Sequence, residues 1–247
     1  SNPNLAGLLN TYTTSIITDF QRELSSNPKM RNVSIQPEVK MLFNPELRSV
    51  NMFVPGLVAF VLMLVCALMT SIAITREKEM GTMEVLLVSP LKPGLIIIGK
   101  VVPYVLLSLI NLVSILAVAL LVFEIPFRGS YLLFFGESSL FIFTALSLGI
   151  MISTIAKTQQ TAMMISLAGL LMPTMLLSGF IFPIENMPVI LQWVSHIIPA
   201  KWFLIIVRGI MLKGIGIEFF WKETLILLGM TFFCLAVSVK NFKIRLE

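Results

Sequence analysis

Few side chains in this sequence could carry out covalent chemistry. Ser178 and the single histidine, His196, supply the nucleophile and base that an intramembrane serine hydrolase needs. The serine stands in Leu-Ser-Gly-Phe rather than a Gly-x-Ser-Gly setting, and His196 follows a proline-bearing loop. A histidine satisfied at a membrane interface is the better reading, and a hydrolase ranks third among the functions considered. The sequence has no His-Glu-x-x-His pair for a zinc protease and no Gly-x-x-x-x-Gly-Lys-Ser/Thr loop to cradle a nucleotide. Cys66 and Cys234 lie inside apolar runs, where cysteine packs as a small hydrophobe. No spacing suggests a metal site or a disulfide framework. No cofactor or metal is expected on this chain.

The other chemically distinctive stretch is Thr75 to Pro90, TREKEMGTMEVLLVSP, set between two long apolar runs. A helix over about 75–88 would put Met80, Met83 and Leu87 on one face and Glu77 and Glu84 on another. Ser89-Pro90 would end it, and Lys92-Pro93-Gly94 would turn the chain back. Phosphate headgroups repel an acidic face, so lipid is not its natural partner. A protein surface with basic or amide groups suits it; a solvated loop with incidental charge is the alternative.

These residues must be positioned by membrane-crossing helices. Of 247 residues, 57% are hydrophobic and only 13% are charged, with mean hydropathy +0.93, whereas soluble domains carry about 25% charged residues. An integral membrane protein follows, and its net charge of +5 bears on orientation rather than on nucleic acid. About 20 apolar residues cross a bilayer. By that measure five spans fall at about 52–74, 98–123, 138–155, 162–182 and 221–239. The stretch 189–212 is interrupted by His196, Pro199, Lys201 and Arg208, which favours re-entrant or interfacial helices over a simple span. Ahead of the spans, apolar residues from Leu5 to Leu24 recur at helical spacing, and Val33 to Phe43 alternate like an edge strand. Residues 1–50 thus look like part of a small α/β domain, and 51–247 like a mainly α, polytopic helical bundle.

Charge bias sets the expected orientation. Arg76, Lys78, Lys92, Lys100, Lys157, Lys240, Lys243 and Arg245 fall on one side, which places the Thr75–Pro90 segment and the C-terminus in the cytoplasm. Residues 1–50 are then extracytoplasmic. The chain starts at Ser1, and an external segment that begins abruptly suggests an earlier span and six in the parent.

Within the spans, Ala145, Gly149 and Ser153 recur every fourth residue, as in close helix packing. Asn111 lies inside the second span, where a buried amide calls for an interhelical bond or a place in a substrate path. Pro173 should kink the fourth span. Glu137 could stand at the edge of the third span or just outside it.

The stretch REKEMGTMEVLLVSPLKPGLIIIGKVVPY resembles the cytoplasmic loop of type-2 ABC exporter permeases. FNPELRSVNMFVPGL, AKTQQTAMM, LSGFIFPIENMP and IIPAKWF resemble further segments of that family, in the same order. The resemblance implies a coupling helix that docks on a separate ATPase subunit through Glu77, Glu79, Gly81, Thr82 and Glu84. ATP and magnesium would sit on that partner. It also implies pairing with a second permease subunit, identical or different, in a bacterial inner membrane, with membrane lipids and a periplasmic adaptor as further partners. The expected function is ATP-driven export of a hydrophobic or amphipathic small molecule or a lipid. Phe180 and Ile181 would form an apolar gate, with lipid-facing bulk as the alternative. The runner-up function is a membrane receptor or scaffold whose acidic helix binds a regulator.

Overall fold

The computed structural model describes residues 3–25, 48–81 and 93–243. The chain divides into two units, Ser1–Met52 and Phe53–Glu247. In the first, α1 (Pro3–Ser25) forms where the apolar spacing predicts it. Leu8, Leu9, Tyr12, Ile16 and Phe20 remain exposed along it. No strand occurs among the described residues, and the strand expected within 33–43 lies outside them. The α/β character expected of residues 1–50 is therefore not supported; what is described there is helix.

The second unit is a helical bundle. α2 (Val50–Glu79) leads into it, followed by α3 (Pro93–Leu121) and α4 (Tyr131–Ile155). α5 (Gln159–Ser166) then passes through a π-helical turn, Leu167–Leu171, into α6 (Met172–Leu177). α7 (Val189–Ser195) and α8 (Pro199–Arg208) follow, and α9 (Trp221–Lys243) closes the chain. Five of these stretches are long and apolar enough to cross a membrane, or up to six if the α7–α8 pair, bent by 84°, counts as one. The first to fifth spans are α2, α3, α4, α5–α6 and α9.

Two boundaries differ from expectation. α4 begins at Tyr131 instead of about 138, because its aromatic first turns have something to pack on. Phe127 stacks on Tyr131 at 4.2 Å, and Phe134 is fully buried. Glu137 thus falls inside α4, buried, with Oε1 accepting a 3.0 Å hydrogen bond from Thr224 on α9. α2 does not stop at 74 but runs through Glu79. Thr75–Glu79 thus continue α2. Gly81 ends α2 with φ 71°, the left-handed conformation that terminates helices and favours glycine. The rest of the expected coupling helix lies outside the described residues.

α4 is the hub. Phe134, Phe141, Ala145 and Leu146 share one core with Val58, Leu62 and Cys66 of α2, Leu112 of α3, Phe203 and Val207 of α8 and Leu227 of α9. Phe141 stacks flat on Phe203 at 4.0 Å. Helix pairs in lipid gain little from apolar contact alone, so close packing and hydroxyl bonds hold them. Cys66 Sγ donates to Ser108 Oγ at 3.0 Å, joining α2 to α3. The Thr144 and Thr231 hydroxyls meet at 2.7 Å between α4 and α9. Ser71 and Ser166 meet at 2.8 Å between α2 and α5.

Ala145, Gly149 and Ser153 are all buried. A methyl group on Gly149 would lie 2.6 Å from the Ala67 carbonyl oxygen of α2, where backbone cannot give way. Gly149→Ala should destabilise the chain by about 1–3 kcal/mol, the usual range for overpacking. Thermal denaturation by fluorescence-detected size exclusion should show a melting temperature several degrees lower. Gly136→Ala in the same helix, where nothing lies within 4 Å of an added methyl, should leave it unchanged.

Candidate functional site: a clamp and an aromatic slot on the first span

At its C-terminal end α2 presents Lys78 and Glu79 in sequence, and each meets a different helix terminus. The last carbonyls of α4 have no intrahelical donor, and the first N–H groups of α5 have no intrahelical acceptor. Lys78 Nζ donates to the carbonyl oxygens of Ser153, Thr154 and Ala156, the last at 3.3 Å. Glu79 Oε2 accepts from the backbone N–H of Gln159 at 2.9 Å and from its side-chain Nε2 at 3.1 Å. The cation thus sits at the negative end of α4 and the anion at the positive end of α5, the favourable sign at both. Thr158 caps α5 as well, its hydroxyl accepting from the Thr161 N–H at 3.2 Å. The turn 156–158 is held from both sides by two adjacent residues of the first span.

Glu79 is thus placed by a contact within the chain. Its carboxylate is engaged by the chain's own α5 terminus, because those amides need an acceptor and Glu79 reaches them. Ser153, expected only as a packing residue, also supplies a carbonyl to the clamp. Glu77 is half-buried one position before Lys78, and Gly81 is exposed just past the helix end. Thr82 and Glu84 lie outside the described residues.

At the opposite end of α2, Phe180 fills a slot over Gly56. A methyl on Gly56 would come within 2.1 Å of the Phe180 ring, so only glycine leaves room for it. The ring lies 6.1 Å from Phe60, nearly parallel, and 5.7 Å from Phe53, edge to face. Ile181 is exposed and makes no comparable contact. Phe180 is aimed by the preceding residue: Gly179 adopts φ 80°, and its carbonyl oxygen accepts from Arg208 Nη1 of α8 at 3.2 Å. Arg208 was legible in the sequence only as a break in an apolar run. The slot therefore joins the first span, the fourth and the bent pair.

The remaining candidates divide. Asn111 Nδ2 is enclosed without a hydrogen-bond partner among the described residues. His196 is engaged at the α7–α8 corner. Its Nδ1 lies 2.7 Å from the Gln192 carbonyl oxygen, its own carbonyl accepts from Trp202 Nε1 at 3.0 Å, and its ring packs edge-on to Trp202. Lys201 is buried beside it and donates to Ser195 Oγ at 3.0 Å. The described residues show no Ser178–His196 hydrogen bond and no cluster suited to a metal ion.

An apolar bundle with five helices long enough to cross a membrane defines a polytopic membrane protein, and comparison with known proteins gives its family. Residues 14–212 match the family described as ABC-2 type transporter, and the chain belongs to that family. It is 35% identical over 231 residues to the probable multidrug ABC transporter permease YbhR of Escherichia coli K12, covering 93% of this chain and 62% of that protein. It is 33% identical over 215 residues to YbhS of the same organism, similarly described, covering 87% of this chain and 57% of that protein. ABC transporter G family member 20 of Dictyostelium discoideum is 27% identical over 198 residues, 79% of this chain and 27% of that protein. The chain thus spans about three fifths of the length of its bacterial relatives.

If the clamp fixes the 156–158 turn, removing it should expose that turn. Lys78→Met with Glu79→Gln should speed tryptic cleavage after the exposed Lys157 by about five- to ten-fold in lipid nanodiscs, since local opening governs proteolysis. An unchanged cleavage rate would mean the turn is held by something else.

Proposed function

We propose that this chain is the membrane subunit of an ABC exporter, in which two permease subunits work with two ATPase subunits. The clamp end faces the cytoplasm, in keeping with the charge bias, and the Phe180 end faces outward. The cargo is a hydrophobic or amphipathic small molecule or a lipid; two of the similar proteins are described as probable multidrug permeases. ATP and magnesium belong to the partner, and the segment around Glu77, Gly81, Thr82 and Glu84 docks on it.

One observation carries this reading. The first span runs unbroken from the Phe180 slot to the clamp, and its last residues grip α4 and α5 directly. A push on the segment after Gly81 therefore enters three spans at once instead of being absorbed by a loose loop. Phe180 closes the outer end by filling a glycine-lined slot, which needs no charged latch and opens when the first and fourth spans part.

Glu77→Lys with Glu84→Lys in the full-length chain should lower ATPase capture and permease-stimulated ATP hydrolysis by at least about ten-fold, since like charges across an interface oppose docking. Thermal stability of the isolated chain serves as the folding control. Undiminished capture would contradict the docking assignment. A full-length chain that captures no ATPase at all would favour the receptor or scaffold reading.

A further inference from the structure

The fourth span is built in two pieces, and the pieces are fastened to α2 by different means. α5 is bolted on by polar bonds at two levels: Glu79 holds Gln159 at its start, and Ser71 meets Ser166 at its end, 2.8 Å apart and buried. Hydrogen bonds of this kind are directional and weaken steeply once stretched. Immediately after Ser166 the helix widens into the π-turn Leu167–Leu171, and Pro173 follows in the first turn of α6. A π-turn carries one residue more than an α-helix needs. A proline has no N–H, so the Gly169 carbonyl four residues back loses its α-helical donor. Two independent weaknesses thus fall within one short stretch. Beyond it, α6 ends at the Gly179 turn, and Phe180 touches α2 only through ring contacts over Gly56. Ring contacts are non-directional and can slide or part; the polar bond at this end, Arg208 Nη1 to the Gly179 carbonyl, runs to α8 and not to α2.

We propose that the fourth span is hinged at residues 167–173, with α5 moving as one body with α2 while α6 swings Phe180 in and out of the Gly56 slot. The hinge is a property of this chain; its use to open an outward path rests on the export reading above.

Two pairs test it, in a background with Cys66→Ser and Cys234→Ala: Ser71→Cys with Ser166→Cys on the inner side of the hinge, and Phe60→Cys with Phe180→Cys on the outer side. Spin labels on the full-length chain in nanodiscs, without ATPase, should give a distance distribution at least about twice as broad for the outer pair as for the inner. Equal widths would overturn the hinge, whatever becomes of the export reading. In complex with the ATPase and trapped with ATP and vanadate, cross-linking of the outer pair by a short thiol reagent should fall at least about five-fold, with the inner pair unchanged. If both pairs fall together, the span moves as one body and the proposal fails. It fails equally if the outer pair holds while ATP is turned over. Deleting Gly169 together with Pro173→Ala, which restores a continuous α-helix, should abolish the difference between the pairs.

Discussion

The inner end of this bundle depends on a single placement: a cation and an anion, adjacent in sequence, laid against helix ends of opposite polarity. Lys78 and Glu79 would count for little as surface charges, since exposed ion pairs contribute at most about 1 kcal/mol. Here both meet helix termini. Each satisfies backbone groups that a helix terminus leaves without partners, two carbonyls of α4 and that of the next residue, Ala156, in one case and the first amide of α5 in the other. The turn 156–158 is short, so fixing both flanking termini fixes the turn. Reversing the order of the two residues would set each charge against a terminus of its own sign.

The first span is joined to α3, α4, α5 and the Phe180 turn, and each attachment uses the chemistry its depth allows. At one end the contact is aromatic and requires a glycine opposite. Mid-span, the bonds are between hydroxyls and a thiol, small groups that satisfy one another without charge in an apolar surround. Gly149 lets α4 approach α2 backbone to backbone. At the other end, where the helix leaves the apolar layer, charged side chains take over. This gradient joins the first span through directional polar bonds at its clamp end and through ring contacts at Phe180.

Much of this was legible in the sequence, and the parts that were not share a cause. The spans follow from runs of apolar residues, the bent pair from His196, Pro199, Lys201 and Arg208, and the close α2–α4 approach from small residues every fourth position. Span ends were misplaced where side chains outside the apolar count extend a helix, aromatic residues at Tyr131 and charged ones at Thr75–Glu79. The partners of Glu79, Ser153 and Arg208 lie far away in sequence, and no local pattern links TREKEM to AKTQQT. Glu79 entered the sequence reading only as a docking position implied by resemblance, and its bonds to Gln159 have no local signature.

The central claim is that sign and position at the clamp, not mere charge, organise the inner end of the bundle. Exchanging the two residues, Lys78→Glu with Glu79→Lys, keeps composition and net charge while reversing the sign at each helix terminus. Thermal denaturation of the full-length chain in nanodiscs tests this most directly. The account predicts a melting temperature lower by at least about 4 °C for the exchanged chain. A melting temperature equal to that of the parent would contradict it.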